Sequence, residues 1–156
     1  MPAMMVRDVM QTRVLTIAPD TTLPEAVRRA GERGVRHLPV LHDGKLVGLV
    51  SDRDLKRAMA SSATSLEVHE LNYLVQRLAV REFMTRTIIT VRPDCLVKEA
   101  ARLMLLHKIG ALPVTDGEAL VGIVTETDLL KLLVTAGEPP DDRSPGGNPD
   151  RDATRA

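Results

Sequence analysis

Two short stretches of this chain set a hydroxyl and a carboxylate at a spacing that can hold a ligand. One is Gly48-Leu49-Val50-Ser51-Asp52-Arg53-Asp54, the other Gly122-Ile123-Val124-Thr125-Glu126-Thr127-Asp128. In each, Ser or Thr stands at the start of an expected helix and Asp stands three positions on. Ser/Thr-x-x-Asp is close to a capping box, in which the two side chains satisfy each other's free backbone N–H groups. The same geometry suits a nucleotide. Free N–H groups at a helix N-terminus attract phosphate, and the hydroxyl adds a donor. A carboxylate one turn on accepts both hydroxyls of a ribose. The two roles are compatible, because the hydroxyl caps the helix when no ligand is present. The pair recurs, each time after Gly at the head of a Val-rich strand, and that recurrence favours the ligand reading.

No catalytic set accompanies these pairs. The four histidines, His37, His42, His69 and His107, show no metal-ligand spacing with acids or with the single cysteine, Cys95. The chain contains no GxGxxG, no phosphate-binding P-loop and no GxSxG. No catalytic residue and no metal are expected, and the chain is read as a binding protein rather than an enzyme.

The elements that position the two pairs come from an internal repeat. Shifted by 74 positions, the sequence matches itself without gaps from residue 6 to residue 55. Val6-Arg7-Asp8-Val9-Met10 falls on Val80-Arg81-Glu82-Phe83-Met84, Leu38-Pro39-Val40 on Leu112-Pro113-Val114, and Asp54-Leu55 on Asp128-Leu129. Each copy reads β-α-β-β-α. In the first, residues 14–17 are a short strand, and Thr22-Leu23-Pro24-Glu25 opens a helix to about Arg33. Residues 38–41 and 46–50 are strands joined by an Asp43-Gly44 hairpin. Ser51 then caps a helix to about Ala60. In the second copy the strands are 88–91, 112–115 and 119–124, with a hairpin at Asp116-Gly117. Its helices are 97–107 and 126–134.

A unit this small buries little core alone, so the copies are expected to pack on each other. The spans are 1–60 and 80–136 for the copies, 61–79 for a linker helix and 137–156 for a disordered tail rich in Pro, Gly and Asp. Aromatics are nearly absent, with Phe83, Tyr73 and no Trp, which weakens any reading by base stacking on rings. Net charge is zero, so no basic field draws in nucleic acid. No apolar run is long enough to cross a membrane. A cytoplasmic protein is expected.

The run Gly34-Val35-Arg36-His37-Leu38-Pro39-Val40, the Asp-Gly hairpin and Gly-x-x-Ser/Thr-x-x-Asp, an order of motifs that recurs in the second copy from Leu112-Pro113-Val114 onward, resemble the CBS domain. Two in tandem resemble a Bateman module, and the linker Leu66-Glu67-Val68-His69-Glu70-Leu71 resembles stand-alone acetoin-utilisation-type CBS proteins. The resemblance implies an α/β (α+β) fold of two repeats packed about a pseudo-twofold axis, leaving two clefts for adenosine compounds such as AMP, ADP, ATP or S-adenosylmethionine. By motif position, Asp54 and Asp128 would hold ribose, and Ser51 and Thr125 would meet phosphate. Thr16, Ala18, Pro19, Thr90, Arg92 and Pro93 would border the base, which Val40 and Val114 would flank. The nucleotide would be a regulatory ligand, not a catalytic cofactor. A homodimer and a separate effector protein would carry the output. The alternative is a structural or protein-interaction dimer with no physiological nucleotide.

The copies differ where charge matters. Arg36, His37 and Arg53 offer three phosphate partners in the first copy. Their counterparts Gly110, Ala111 and Thr127 are uncharged, and Lys108 is the nearest cation. Charge-assisted hydrogen bonds contribute roughly 1.5–3 kcal/mol each. Unequal sites and a preference for a phosphorylated ligand are therefore expected.

Overall fold

A computed structural model describes residues 3–61 and 75–135. The first copy supplies helix α1 (Leu23–Arg33), strands β1 (His37–His42) and β2 (Lys45–Ser51), and helix α2 (Asp52–Ser61). The second supplies α3 (Val97–His107), β3 (Ala111–Asp116), β4 (Ala119–Thr125) and α4 (Glu126–Thr135). Two antiparallel hairpins join in one four-stranded sheet of order β1-β2-β4-β3. The seam between them is thin: β2 meets β4 through the single pair Lys45↔Ala119, beside which Lys45 and Glu118 lie 3.3 Å apart. Residues 75–77 are helical. The rest of the expected linker helix, and the expected tail, lie outside the described residues.

Turn chemistry sets the hairpins. Asp43 and Gly44 both have positive φ, 50° and 77°, the conformation of a type I′ turn. The second hairpin turns one residue later than expected, at Gly117 and Glu118. Only Gly117 has positive φ, at 61°, as the first central residue of a type II′ turn requires.

The first strand expected in each copy is reduced to one residue. Ile17 N–H donates to the Pro39 carbonyl at 3.0 Å, and Leu41 N–H donates to the Ile17 carbonyl at 2.9 Å. This parallel bridge cannot extend either way. The next bond back needs an N–H on Pro39, and the next bond forward needs one on Pro19; neither residue has it. Val91 repeats the arrangement on Pro113 and Thr115, at 3.1 and 2.9 Å, between Pro93 and Pro113.

The two cores are exchanged between the copies. Leu23, Ala26, Leu38, Val40, Val50 and Leu55 of the first copy enclose Val80 and Met84 of the second. Val91, Ala100, Met104, Leu112, Val114 and Val124 of the second enclose Val6 of the first. Backbone hydrogen bonds fasten each exchanged segment. Val6 N–H donates to Cys95 O at 2.8 Å and Arg7 N–H to Pro93 O at 2.9 Å. Val80 N–H donates to Thr21 O at 2.8 Å and Arg81 N–H to Pro19 O at 2.9 Å.

Candidate functional site

Local chemistry shapes the N-terminus of α2. Ser51 Oγ accepts from Asp54 N–H at 3.1 Å, and Asp54 Oδ2 accepts from Ser51 N–H at 2.8 Å. This is a reciprocal capping box with Asp in place of Glu. Asp52 N–H donates to the Arg36 carbonyl at 2.8 Å, which holds the start of β1 beside the same helix end. Asp54 Oδ1 has no donor among the described residues and is left free for a ligand.

The exchange of segments brings the second copy across this helix end. A cleft of about 710 Å³ opens there, within the usual range for small-molecule sites. The first copy lines it with Arg36, His37, Ser51, Arg53 and Asp54, and the second with Thr87, Ile88, Ile89, Lys108 and Ile109. Arg36, Arg53 and Lys108 form no ion pair among the described residues. The cleft therefore offers a free oxygen on Asp54, three cations outside any ion pair and an aliphatic wall, with Glu126 as a second carboxylate on the side of the other copy.

Lys108 is placed at some cost. It ends α3 in the left-handed region, with φ 54°, where its counterpart in the first copy is Gly34. A residue with a Cβ pays about 1–2 kcal/mol for that conformation.

His37 is half-buried between the copies. Burial in the cleft pushes its imidazole below its ordinary pKa of 6.5, against the opposing pull of the Glu126 and Asp54 carboxylates. A base held neutral by folding stabilises the fold above its unfolded pKa and loses that contribution as pH falls through and below it. The melting temperature of the free protein should therefore fall between pH 7 and 5. His37→Gln should flatten that decline; an unchanged slope would remove His37 as its source.

The cleft gathers only some of the residues expected from the sequence. Thr16, Ala18, Pro19, Thr90, Arg92 and Pro93 do not line it. Pro19 and Pro93 use their carbonyls to clasp the other copy's entering segment. Arg92 is turned toward Asp94 and Asp116, 3.3 and 3.8 Å away. Val40 and Val114 are fully buried, one in each core, because their side chains sit on the inward face of their strands. Thr125, Thr127 and Asp128 belong to the opposite helix end. Sequence reasoning missed Thr87, Ile88, Ile89 and Ile109. Their only signal was that they lie next to the repeat motifs of the other copy.

Among known proteins, the CBS domain family profile matches this chain twice, at residues 6–61 and 80–135. The chain belongs to the CBS-domain family. The paired CBS fold recurs in solved structures. The CBS domain pair of protein MJ0100, in complex with 5′-methylthioadenosine and S-adenosyl-L-methionine, is 28% identical with a TM-score of 0.74 over 85% of this chain and 98% of that one. A protein assigned to acetoin utilization (AcuB) from Vibrio cholerae is 32% identical with a TM-score of 0.72, covering 85% and 91%. CBSX2 in complex with AMP is 32% identical with a TM-score of 0.69, covering 83% and 96%. CBS pairs similar to this one thus bind adenosine compounds. No helix among the described residues is long and apolar enough to cross a membrane.

Proposed function

We propose that this CBS pair is a regulatory module, not an enzyme, that binds an adenosine ligand between its copies and signals to another chain. The observation that carries this reading is the free Oδ1 of Asp54 in one cleft with the unpaired Arg36, Arg53 and Lys108. In this reading Asp54 holds the ribose hydroxyls. Ser51 and the N-terminus of α2 meet the phosphate, with the three cations around it. The aliphatic wall of Ile88, Ile89 and Ile109 takes the base. AMP, ADP and ATP suit the cations better than S-adenosylmethionine, whose sulfonium repeats their charge. Such a sensor works in the cytoplasm, where these nucleotides are pooled.

The cheapest test is thermal unfolding with and without AMP, ADP, ATP and S-adenosylmethionine. A ligand at 100 times its dissociation constant adds about 2.7 kcal/mol of stability. In a domain of this size that raises Tm by roughly 5–10 °C. No shift with any of the four at millimolar concentration would leave a protein-interaction module in place of the sensor.

The surface supports a homodimer as the signalling unit. Leu105 and Leu106 on α3 and Leu130, Leu133 and Val134 on α4 are 60–81% exposed. Their counterparts on the first copy are Gly31, Glu32, Lys56, Met59 and Ala60, so the apolar excess lies on one half. Clustered exposed apolar residues mark interaction surfaces. Light scattering should find a dimer, and Leu133→Asp should convert it to a monomer. A monomeric parent protein would overturn this assignment.

A further inference from the structure

We propose that Gln11 closes the second cleft, so that each chain holds one nucleotide instead of two. The inference rests on the nucleotide reading above and concerns which of two related helix ends a ligand can use.

The repeat supplies an internal control. Thr85 exchanges two backbone hydrogen bonds with Leu49, both at 3.0 Å. Its counterpart Gln11 exchanges the same two with Ile123, at 2.9 and 3.0 Å. The backbone frames match and the side chains do not. Thr85 is short, and the cleft beside it, with Asp54, stays open. Gln11 is longer, and its Nε2 donates to Asp128 Oδ1 at 3.1 Å and lies 3.5 Å from Oδ2.

That amide takes the oxygen a ribose would need. Asp128 Oδ2 already accepts from Thr125 N–H at 2.9 Å and from the Thr125 hydroxyl at 3.0 Å. With Gln11 on Oδ1, both oxygens of Asp128 are engaged, and the residue is only 8% exposed. Asp54 keeps Oδ1 free. The Thr125 hydroxyl spends its proton on Asp128, whereas Ser51 Oγ only accepts from Asp54 N–H.

The backbone of Gln11 is held close by a glycine. A Cβ at Gly122 would lie 2.9 Å from the Gln11 carbonyl oxygen and 2.7 Å from Met10 Sδ. Position 122 therefore admits the segment that carries the plug. To bind at Asp128, a ribose must first displace the Gln11 amide, a competition absent at Asp54.

Isothermal titration of the full chain with AMP, ATP and S-adenosylmethionine in turn tests the assignment. The parent should bind one ligand per chain. Gln11→Thr, which copies residue 85, and Gln11→Ala should each bind two, with affinity at the second site raised at least tenfold. Thr85→Gln should weaken the first site at least tenfold. Asp128→Ala should leave the parent stoichiometry at one and abolish the second site gained in Gln11→Thr. Two ligands bound by the parent, or one bound by both Gln11 variants, would overturn the proposal. Failure of the parent and both Gln11 variants to bind any of the three probes would instead overturn the nucleotide reading.

Discussion

Asp54→Ala is expected to lower nucleotide affinity by more than 100-fold. The carboxylate would accept from two ribose hydroxyls. Hydrogen bonds to a charged group contribute roughly 1.5–3 kcal/mol each, and each 1.4 kcal/mol is tenfold in affinity. The other groups nearby are committed or belong to the other copy: Ser51 Oγ is engaged by the helix, Asp52 lies 3.0 Å from the Lys56 ammonium, and Glu126 lines the cleft from the second copy. The substitution also removes half of the capping box, at roughly 1 kcal/mol of stability. Titration must therefore be paired with a melting curve at saturating and zero ligand. A folded Asp54→Ala protein that binds AMP like the parent would refute the ribose assignment.

The second large effect crosses from one copy to the other. Val80 belongs by sequence to the second copy but is fully buried in the core of the first. Val6 is its mirror image in the core of the second. Burying an unpaired carboxylate in either place should cost several kcal/mol, a large part of the 5–15 kcal/mol typical of a domain. Val80→Asp should speed amide hydrogen exchange in α1, β1 and β2 before α3, β3 and β4. Val6→Asp should do the reverse. The deciding result is the location of the faster exchange. If each substitution loosens only the copy that carries it in sequence, the cores are not exchanged as described.

Much of this was legible in the residues. Period and capping placed α1, α3 and the four sheet strands within a residue or two, because those signals are local. The Ser51-x-x-Asp54 spacing foretold the cap. The repeat could not say which copy supplies each wall of a cleft. Matching Thr90 to Thr16 shows that two positions are equivalent, not that either meets Asp54. The base-bordering residues expected from motif position lie outside the cleft for that reason. The lost first strands were readable in principle: Pro19 and Pro39, with Pro93 and Pro113, withhold the N–H groups that a ladder needs. Gln11 escaped notice because a glutamine aligned with a threonine looks like a neutral exchange until its reach is measured.

The exchange of Val6 and Val80 also bears on how the chain is made. Domains commonly complete their cores in order as the chain leaves the ribosome. Here the first repeat cannot do so. Its core lacks Val80 and Met84 until those residues have been translated. The opening segment waits longer still, since Met4 accepts from Val97 N–H and Val6 donates to Cys95. Contacts so distant along the chain slow folding, because loop entropy is spent before they form. The newly made first half is therefore an unfinished body until its twin has been synthesised.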